Sequence, residues 1–535
     1  MATTAQLIAR RLAEAGCRYA FGIPGGEVLT LMAALEEAGI SFVLAKHENS
    51  AGFMAEGAHH ATGAPGLLLA TLGPGAANAT NVIANAYQDR VPLIFLTGCV
   101  DAAQAASYTH QVIDHAALMA PITKASLRVE QGAVGVTIDK ALAIALDGQP
   151  GPVHVDVPIG LAIAEQPESV GIRRPAPAPA GPAPSPELEA ARELFRQAER
   201  PLMIAGLDVL NQGGEEALAT LVRKFRLPLL TTYKAKGVLD EDDSLCLGGV
   251  GLSPRADELV LPFVHESDLV ILAGYDPIEM RSGWCQPWAA GQPVIEFSAV
   301  ANSHYVHLAS HSFVGDVAAG LEALAAGHES AAIWPGGQPA ALARSLAEAF
   351  PGEEDWGPAA VIDTLRRALP PDGVATADTG AHRILLSQMW RCPGPRQLLQ
   401  STAFGTMGCA LPLALGYKLA QPERPVVAFV GDAGLEMVLG ELATARDLGL
   451  AVVVVVFVDE QLALIELKQR RLGHDELGVA FGGSDFAAVA QALGGTGATA
   501  GSRDELAAEV ERALGRDSFT VIACPIERRS YDGRF

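Results

Sequence analysis

Positive charge is scarce in this 535-residue chain, which has 38 Lys and Arg residues against 61 Asp and Glu residues and a formal net charge of −23. A chain of this kind lacks the broad basic face with which proteins bind nucleic acid or anionic membrane surfaces. It remains compatible with an anionic small molecule, because backbone N–H groups and a bound metal can supply local positive potential.

Cysteine is also scarce: the seven residues lie far apart, and no Cys-x-x-Cys pair occurs. The odd number and the wide spacing argue against a disulfide framework and against a structural zinc site. Reduced thiols in the cytoplasm are the simplest interpretation of this pattern.

Long hydrophobic runs are missing as well. The longest, over 450–458, falls far short of the ~20 residues that a membrane-spanning helix needs, and it is typical of a buried parallel strand. Residues 3–16 predict an amphipathic helix rather than a signal peptide. With 49% hydrophobic and 19% charged residues, we expect a core-forming cytoplasmic protein.

Short apolar runs alternate with helical patterns along the whole chain, which predicts parallel sheets covered by helices. The predicted strands are 19–22, 41–45, 66–71, 93–97, 153–157, 201–205, 227–231, 269–273, 293–297, 374–377, 426–430, 451–458 and 520–523. A Pro/Ala-rich stretch over 174–186 and a weaker Gly/Pro/Ala stretch after residue 335 separate three such units. We therefore predict an α/β protein of three doubly wound parallel-sheet domains in series. Its parts are residues 1–165, a linker over 166–187, residues 188–334, a linker over 335–354 and residues 355–535.

The strongest local signal lies in the third unit, where a strand pattern over 426–430 runs into a glycine-containing turn over 431–434. Such a turn presents backbone N–H groups at the positive end of a helix and can cradle a phosphate. Asp432 in this turn and Asp459 after the strand pattern over 451–458 suggest a divalent cation that bridges to phosphate oxygens. A helix N-cap and a solvated acidic turn would explain the same two residues equally well.

Two further signals lie in the first unit. Glu48 stands at a strand-to-helix junction, where it is either a partner of the helix dipole, worth ~0.3–1 kcal/mol, or a functional acid. The turn Gly73-Pro74-Gly75 also joins a strand to a helix, but it does not form the G-x-G-x-x-G fingerprint of dinucleotide-binding proteins.

Taken together, these segments resemble the thiamine-diphosphate-dependent enzymes of the acetolactate synthase, benzaldehyde lyase and 2-oxo-acid decarboxylase group. The resemblance covers essentially the whole chain, and its specificity comes from the combination of motifs. It implies that the three units are, in order, a pyrimidine-binding, a central and a diphosphate-binding domain. The matching segments are 21–26, 47–48, 54–57, 73–78, 86–89 with Pro92, 121–124 and 405–408.

The resemblance implies thiamine diphosphate as the cofactor and assigns residues to it. Glu48 matches the glutamate that would hydrogen-bond N1′ of the aminopyrimidine and thereby activate the cofactor. Met407 matches the bulky residue that would hold the cofactor in its bent shape. The residues implied for the rest of the cofactor site are Gly380, Ala381, His382, Gly405, Gly431, Ala433 and Gly434.

The resemblance also implies a Mg²⁺ site. Asp432 matches the first metal ligand, Asp459 stands where the family has asparagine, and the carbonyl of Gln461 would be the third ligand. Glu460 is a rival ligand, one residue out of register. Ala433 is a second departure, because it replaces the usual glycine.

Around the substrate, the resemblance implies catalytic roles for four residues: Glu48, His110, Gln111 and Gly26. His110 and Gln111 fall where the family places side chains over the reacting carbon. Acetolactate synthases have Phe-Gln at this place, so Gln111 matches and His110 does not. His110 would be a proton shuttle or a residue that shapes the pocket. Gly26 would leave room for a substrate side chain.

The resemblance implies a lyase or carboligase that acts on a 2-oxo acid such as pyruvate, by decarboxylation followed by protonation or C–C bond formation. One alternative is a lyase for 2-hydroxy ketones or acyl-CoA substrates, like benzaldehyde lyase or oxalyl-CoA decarboxylase. Another is a non-catalytic, cofactor-binding regulatory protein, for which the altered metal motif is the only support.

In this family the pyrimidine domain of one chain meets the diphosphate domain of another. The resemblance therefore implies a homodimer or homotetramer with active sites at the subunit interface. Acetolactate synthases also bind FAD in the central domain. FAD is not favoured for this chain, because residues 274–281 depart from their pattern.

Overall fold

The computed structural model describes residues 2–166, 178–329 and 331–535. Its main sheets are three six-stranded parallel sheets, one in each predicted unit, which confirms the α/β fold class. A short antiparallel pair joins the two ends of the first unit. The linker predicted over 166–187 falls in part on residues 167–177, which lie outside the described residues.

The first unit begins with the predicted amphipathic helix. Its N-terminus is a capping box, in which the Gln6 N–H donates to the Thr3 hydroxyl (3.3 Å) and the Thr3 N–H donates to the Gln6 side chain (3.0 Å). The strands of this unit are β1 (Ala2–Thr3), β2 (Tyr19–Ile23), β3 (Ser41–Leu44), β4 (Gly66–Ala70), β5 (Leu93–Cys99), β6 (Ala125–Arg128), β7 (Pro152–Pro158) and β8 (Glu165–Gln166). Its helices are α1 (Thr4–Glu14), α2 (Leu29–Glu37), α3 (Glu48–Thr62), α4 (Pro74–Asn78), α5 (Thr80–Gln88), α6 (Ala102–Ala105), α7 (His115–Met119), α8 (Val134–Leu146) and α9 (Ile159–Ala162).

The central unit has apolar clusters on both faces of its sheet, as expected for a doubly wound domain. Its strands are β9 (Pro201–Ala205), β10 (Leu229–Thr232), β11 (Cys246–Val250), β12 (Leu269–Ala273), β13 (Val294–Ser298) and β14 (His311–Val314). Its helices are α10 (Pro186–Gln197), α11 (Leu207–Asn211), α12 (Glu215–Phe225), α13 (Pro254–Glu266) and α14 (Val317–Ala325), and α15 (Gln338–Ala349) leads to the third unit.

The third unit repeats this construction. Its strands are β15 (Val374–Ala377), β16 (Leu398–Gln400), β17 (Val426–Gly431), β18 (Val453–Val458), β19 (Thr496–Thr499) and β20 (Thr520–Pro525). Its helices are α16 (Pro358–Ala368), α17 (Ala381–Met389), α18 (Ala410–Ala420), α19 (Asp432–Glu436), α20 (Glu441–Asp447), α21 (Ala463–Arg471), α22 (Phe486–Ala492) and α23 (Arg503–Leu514).

The strand orders show where each sheet opens a crevice. The first sheet runs β3-β2-β4-β5-β7-β6 and the third runs β16-β15-β17-β18-β20-β19, so both have the same topology. The central sheet runs β11-β10-β9-β12-β13-β14. In a doubly wound sheet, the strands on either side of one point are connected in opposite directions, and this point is called the switch point. Ligands bind there, at the carboxyl ends of the strands. The switch points lie between β2 and β4, between β9 and β12, and between β15 and β17.

The first and third units share one apolar core across α3 and α18. Two glycines allow these helices to touch through their backbones. A Cβ atom at Gly57 would lie 2.2 Å from the Leu413 carbonyl oxygen, and one at Gly416 would lie 1.9 Å from the Met54 carbonyl oxygen. The small residues on α3 therefore serve packing between two units.

Two observations concern the environment of the chain. Within the described residues, the structure contains no helix with the length and apolar character of a membrane span. All seven cysteines are free thiols, and each except the exposed Cys285 is buried.

Candidate active site

A cavity opens at the switch point of the third sheet, between the turns that follow β15 and β17. Every residue that lines it belongs to the third unit. The sequence-predicted cofactor and metal residues on its wall are Gly380, Ala381, His382, Met407, Gly431, Asp432, Ala433, Gly434, Asp459 and Gln461. The fold thus gathers most of the predicted cofactor residues from four separate chain segments.

The turn after β17 is built around the Asp432 carboxylate. Its Oδ1 accepts the Ala433 N–H (2.8 Å), and its Oδ2 accepts the N–H groups of Asp459 (3.1 Å) and Glu460 (2.7 Å). These bonds join the carboxyl ends of β17 and β18, which are neighbours in the sheet. Burial raises the pKa of Asp432.

Asp459 and Glu460 point in different directions. Asp459 is buried and lines the cavity, and its Oδ1 accepts the Gln461 N–H (3.3 Å). Burial and the neighbouring Asp432 charge raise the pKa of Asp459 to about 7. Glu460 has a positive φ of 55°, and its half-exposed side chain lies 3.4 Å from Arg528. The geometry therefore favours Asp459 over Glu460 as the partner of Asp432 for a cation.

Two buried carboxylates beside each other leave negative charge that a hard divalent cation with oxygen ligands would neutralise. The donor set of Asp432, Asp459 and the Gln461 carbonyl therefore fits Mg²⁺.

The opposite wall of the cavity fits a diphosphate group. Helix α17 begins at this edge without a side-chain N-cap, so its first N–H groups are open to an anion. His382 is buried and stacks on Phe457, and its Nε2 atom has no partner among the described residues. Burial and the charge of Arg383 lower the pKa of His382 to about 3. The ring is therefore neutral. Because its other nitrogen donates to the Asp378 backbone, Nε2 carries no proton and cannot donate to a phosphate oxygen.

Asp378 supports both sides of this cavity, although it was not a predicted site residue. Its carboxylate accepts the N–H groups of Gly408 and Cys409 at 3.0 Å each, which holds the turn that carries Met407. A Cβ atom at Gly434 would lie 1.9 Å from Asp378 Oδ2, so this position requires glycine. The sequence signal that could have identified Asp378 is a carboxylate residue placed directly after a predicted strand.

Gly405 lies outside the cavity lining, and its N–H donates to the Ser401 hydroxyl (2.9 Å). Other lining residues were not predicted from the sequence: Thr379, Phe457, Leu462, Ala463, Leu464, Ile465 and Tyr531. Tyr531 comes from the C-terminal segment, and nothing in its local sequence indicated that it would reach this edge.

The sequence-predicted residues of the first unit lie at the carboxyl edge of the first sheet. Glu48 is the first residue of α3, after β3, and it is buried. Its Oε2 accepts a hydrogen bond from Asn78 Nδ2 (3.0 Å). A Cβ atom at Gly75 would lie 3.4 Å from the Glu48 carboxylate, so the turn after β4 passes close to it. Asn78 belonged to a matching motif, but its contact with Glu48 was not predicted.

Gly26, His110 and Gln111 lie at the same edge. Nothing lies within 4 Å of a Cβ atom placed at Gly26, so the space beside it is open. His110 and Gln111 are exposed and occupy the loop between α6 and α7. Gln111 has a positive φ of 59°, which non-glycine residues adopt rarely.

The crevice of the central sheet is partly occupied by contacts of the protein itself. The N–H groups of Gly206 and Asp208 donate to carbonyl oxygens at the end of β12, at 2.8 and 3.1 Å. Asp276 Oδ2 accepts from Arg90 (2.8 Å) and Gln149 (3.2 Å) of the first unit. Two backbone N–H groups are therefore taken and Asp276 places a carboxylate beside the crevice, which agrees with the expectation that FAD is not favoured.

Comparison with protein families agrees with this geometry. Residues 2–118 match the family model described as thiamine pyrophosphate enzyme, N-terminal TPP binding domain. Residues 188–324 match the central domain of the same enzymes, and residues 378–524 match their C-terminal TPP binding domain. The three matches follow the order of the three sheets. Thiamine pyrophosphate is another name for thiamine diphosphate.

Curated relatives match over nearly the whole chain. The acetolactate synthase of Bacillus subtilis is 29% identical and covers 98% of this chain and 93% of its own length. The large subunit of acetolactate synthase isozyme 3 of Escherichia coli is 30% identical, with 96% and 92% covered. A protein of Pseudomonas aeruginosa named "Probable 2-ketoarginine decarboxylase AruI" is 30% identical, with 97% and 93% covered.

Proposed function

The chain belongs to the thiamine pyrophosphate enzyme family, and we propose that it decarboxylates a 2-oxo acid, with pyruvate as donor, and joins the remaining acyl unit to a second carbonyl compound. The observation that supports this proposal is the cavity between β15 and β17, which brings Asp432 and Asp459 together with the uncapped start of α17. The similarity to acetolactate synthases supports the carboligase outcome. We propose that the protein is located in the cytoplasm, because its seven cysteines are free thiols, as is typical of that reducing compartment.

The residues of the third unit would hold the cofactor in the proposed enzyme. Asp432, Asp459 and the Gln461 carbonyl would bind Mg²⁺, and the first backbone N–H groups of α17, including that of His382, would bind the diphosphate. When bound, thiamine diphosphate would supply the nucleophile and the electron sink that decarboxylation of a 2-oxo acid requires. Met407 would support the cofactor from the turn that Asp378 holds.

Glu48 would move a proton at N1′ of the aminopyrimidine. Its burial lowers the surrounding dielectric and strengthens such a hydrogen bond, and Asn78 fixes the orientation of the carboxyl group. Gln111 would position the substrate carbonyl, and His110 would shape the pocket or shuttle a proton. Both are exposed at the same sheet edge as Glu48.

We propose that the active site is completed by a second copy of the chain, because Glu48 is not among the residues that line the Asp432 cavity. The minimal assembly would be a homodimer, and a tetramer would be a pair of such dimers. Neighbouring subunits related by a two-fold axis would then form two equivalent sites.

Mixing two inactive chains tests this assembly. We expect chains with Glu48→Gln and chains with Asp432→Asn to be inactive alone. After co-expression, we expect the mixed dimers to have about one half of the wild-type activity, since each mixed dimer carries one intact site of two. The activity of the co-purified, doubly tagged protein is the measurement. Absence of recovery in a dimer of mixed chains would show that each site uses one chain only.

The metal ligand is tested by a matched pair of substitutions. We expect Asp459→Ala to weaken Mg²⁺ binding by about 10-fold or more, because it removes a carboxylate oxygen from the ligand set. Glu460→Gln removes a neighbouring carboxylate that points toward Arg528, and we expect it to leave Mg²⁺ binding unchanged. Isothermal titration with Mg²⁺ in the presence of thiamine diphosphate measures both. If Glu460→Gln loses more Mg²⁺ affinity than the Asp459 variant does, the metal ligand is Glu460 and not Asp459.

A second candidate function is decarboxylation of a larger 2-oxo acid without carboligation. The open space at Gly26 favours it, and the relative named as a 2-ketoarginine decarboxylase supports it. The deciding experiment is incubation of the purified protein with thiamine diphosphate and Mg²⁺ and either pyruvate or longer 2-oxo acids, with the products identified.

Each product supports a different outcome. Acetolactate from pyruvate would support the carboligase, and an aldehyde from a longer 2-oxo acid alone would support the second candidate. Activity only with 2-hydroxy ketones or acyl-CoA substrates would contradict both. No turnover with any of them, in protein that binds the cofactor, would leave a non-catalytic role.

A further inference from the structure

His115, the first residue of α7, is buried between the predicted substrate loop and the sheet. Its Nε2 accepts the backbone N–H of Gly73 at 3.0 Å, and its Nδ1 lies 2.8 Å from Asp156 Oδ1. Because Nε2 accepts a hydrogen bond, it carries no proton, and the ring proton must be on Nδ1. His115 is therefore a neutral imidazole that joins the Gly73 turn to a buried carboxylate.

Asp156 is held by several groups of the first sheet. Thr97 donates its hydroxyl to Asp156 Oδ1 (2.6 Å), and the same hydroxyl lies 2.7 Å from Nε2 of His154. The other nitrogen of His154 bonds the Ser126 hydroxyl (2.7 Å). Burial alone would raise the pKa of Asp156, but hydrogen bonds from His115, His154 and Thr97 outweigh it and lower this pKa. The carboxylate is a charged, fixed anchor for His115.

His115, His154 and Asp156 lie close enough together to hold a metal ion. The hydrogen bonds argue against this use. The Gly73 N–H occupies Nε2 of His115, and the Thr97 hydroxyl occupies the Asp156 oxygen that faces both rings. Every ring nitrogen of the two histidines has a protein partner. The set is therefore a satisfied hydrogen-bond cluster.

The Gly73 turn contacts the predicted substrate loop directly. Gly73 has a φ of 65°, and a Cβ atom there would lie 2.3 Å from the Gln111 carbonyl oxygen. Gln111 has a φ of 59°, so two residues in the left-handed region pack against each other. Such a pair persists only where the surrounding structure holds it. Gly73 is also the N-cap residue of α4, whose last residue Asn78 donates to Glu48.

We propose that His115 is a positioning residue, which holds the Gly73 turn and through it the Gln111 backbone and the Asn78–Glu48 pair. The buried His115 imidazole would thus fix the position of Gln111, which would face the substrate, and of helix α4, which orients Glu48. This role rests on the function proposed above, in which Gln111 and Glu48 face the reacting groups. His115 itself touches neither substrate nor cofactor in this role.

The test compares two substitutions of His115. Gln can accept the Gly73 N–H through its side-chain oxygen and donate to Asp156 through its nitrogen, whereas Leu of similar size does neither. We expect His115→Leu to lower kcat by between about 10-fold and 100-fold, because misplacement by about 1 Å costs up to that much. We expect His115→Gln to keep kcat within about 3-fold of the wild type.

Hydrogen exchange provides a readout that needs no substrate. We expect the amide of Gly73, followed in peptides that span residues 71–78, to exchange faster in His115→Leu and at the wild-type rate in His115→Gln. His154→Leu is the matched control, because it removes a buried imidazole of the same cluster that does not contact Gly73. If His115→Leu fails to fold, His115→Asn replaces it, since its short side chain cannot reach both partners.

The outcomes are distinct. Wild-type exchange at Gly73 in the Leu or Asn variant would overturn the proposal, whatever the activity. Equal loss of kcat in the Gln and Leu variants would also overturn it, because the hydrogen-bond pattern would then be irrelevant. If the enzyme turns over none of the proposed substrates, the function fails, while the exchange result still decides whether His115 holds the turn.

Discussion

Replacing Glu48 with glutamine is expected to lower kcat by about 100-fold or more, because proton transfer by a positioned side chain contributes at least this factor. Glutamine has nearly the same size and can still accept the Asn78 hydrogen bond, so the fold should persist. It cannot exchange a proton with N1′ of the aminopyrimidine. Steady-state kinetics with the best 2-oxo acid, together with a direct titration of thiamine diphosphate, measures both effects.

Glu441→Gln is the matched control for this variant. Glu441 is a second buried carboxylate near the start of α3, and its Oε1 accepts the Lys46 N–H at 3.0 Å. Glutamine keeps that acceptor, so kcat should remain close to the wild-type value. A Glu48→Gln enzyme as fast as the wild type would contradict the assigned acid. Equal losses in both variants would point to a general effect of removing buried charge.

Replacing Gly416 with alanine is expected to destabilise the protein by about 3 kcal/mol, the upper part of the range for overpacked cores. The added Cβ would lie 1.9 Å from the Met54 carbonyl oxygen and 2.7 Å from the Met54 Cα, so two helix backbones must separate. The direction opposes helix propensity, since alanine in an unpacked helix is favoured over glycine by about 1 kcal/mol. The midpoint of chemical unfolding, followed by circular dichroism, measures the change.

Gly482→Ala is the control for this substitution, because nothing lies within 4 Å of a Cβ atom at that position. We expect its unfolding midpoint to stay close to the wild-type value, with an effect within about 0.5 kcal/mol. If Gly416→Ala unfolds at the same denaturant concentration as the wild type, α3 and α18 do not pack in backbone contact. Because the first and third units share this core, the Gly416 effect should appear in both units together.

Sequence patterns predicted the inner strands better than the outer ones. The strands that the patterns missed in the three main sheets are β6, β11, β14, β16 and β19, and each lies at a sheet edge. An inner parallel strand is covered on both faces and therefore reads as a continuous apolar run. An edge strand such as β14, whose residues alternate between half-buried and exposed, does not show that run.

The residues of the candidate site were likewise predicted only in part from the sequence. The glycine turn with Asp432 and the later Asp459 were visible because strand ends carry the ligands of an α/β sheet. Asp378, His115 and Tyr531 were not assigned, since their roles come from partners 30 or more residues away in the chain, as in the Asp378–Gly408 hydrogen bond with a separation of 30. Short-range patterns contain no record of such contacts.

The sequence by itself determined the α/β class, the three units, the family resemblance and the residue types that suit a diphosphate and a divalent cation. These features depend on local periodicity, on turn chemistry and on motifs, all of which are written along the chain. Tertiary structure alone decided that Asp459 faces Asp432 while Glu460 turns to Arg528, and that His115 joins the Gly73 turn to Asp156. Those choices depend on strand order and on the direction of side chains packed from distant segments, which no local pattern specifies.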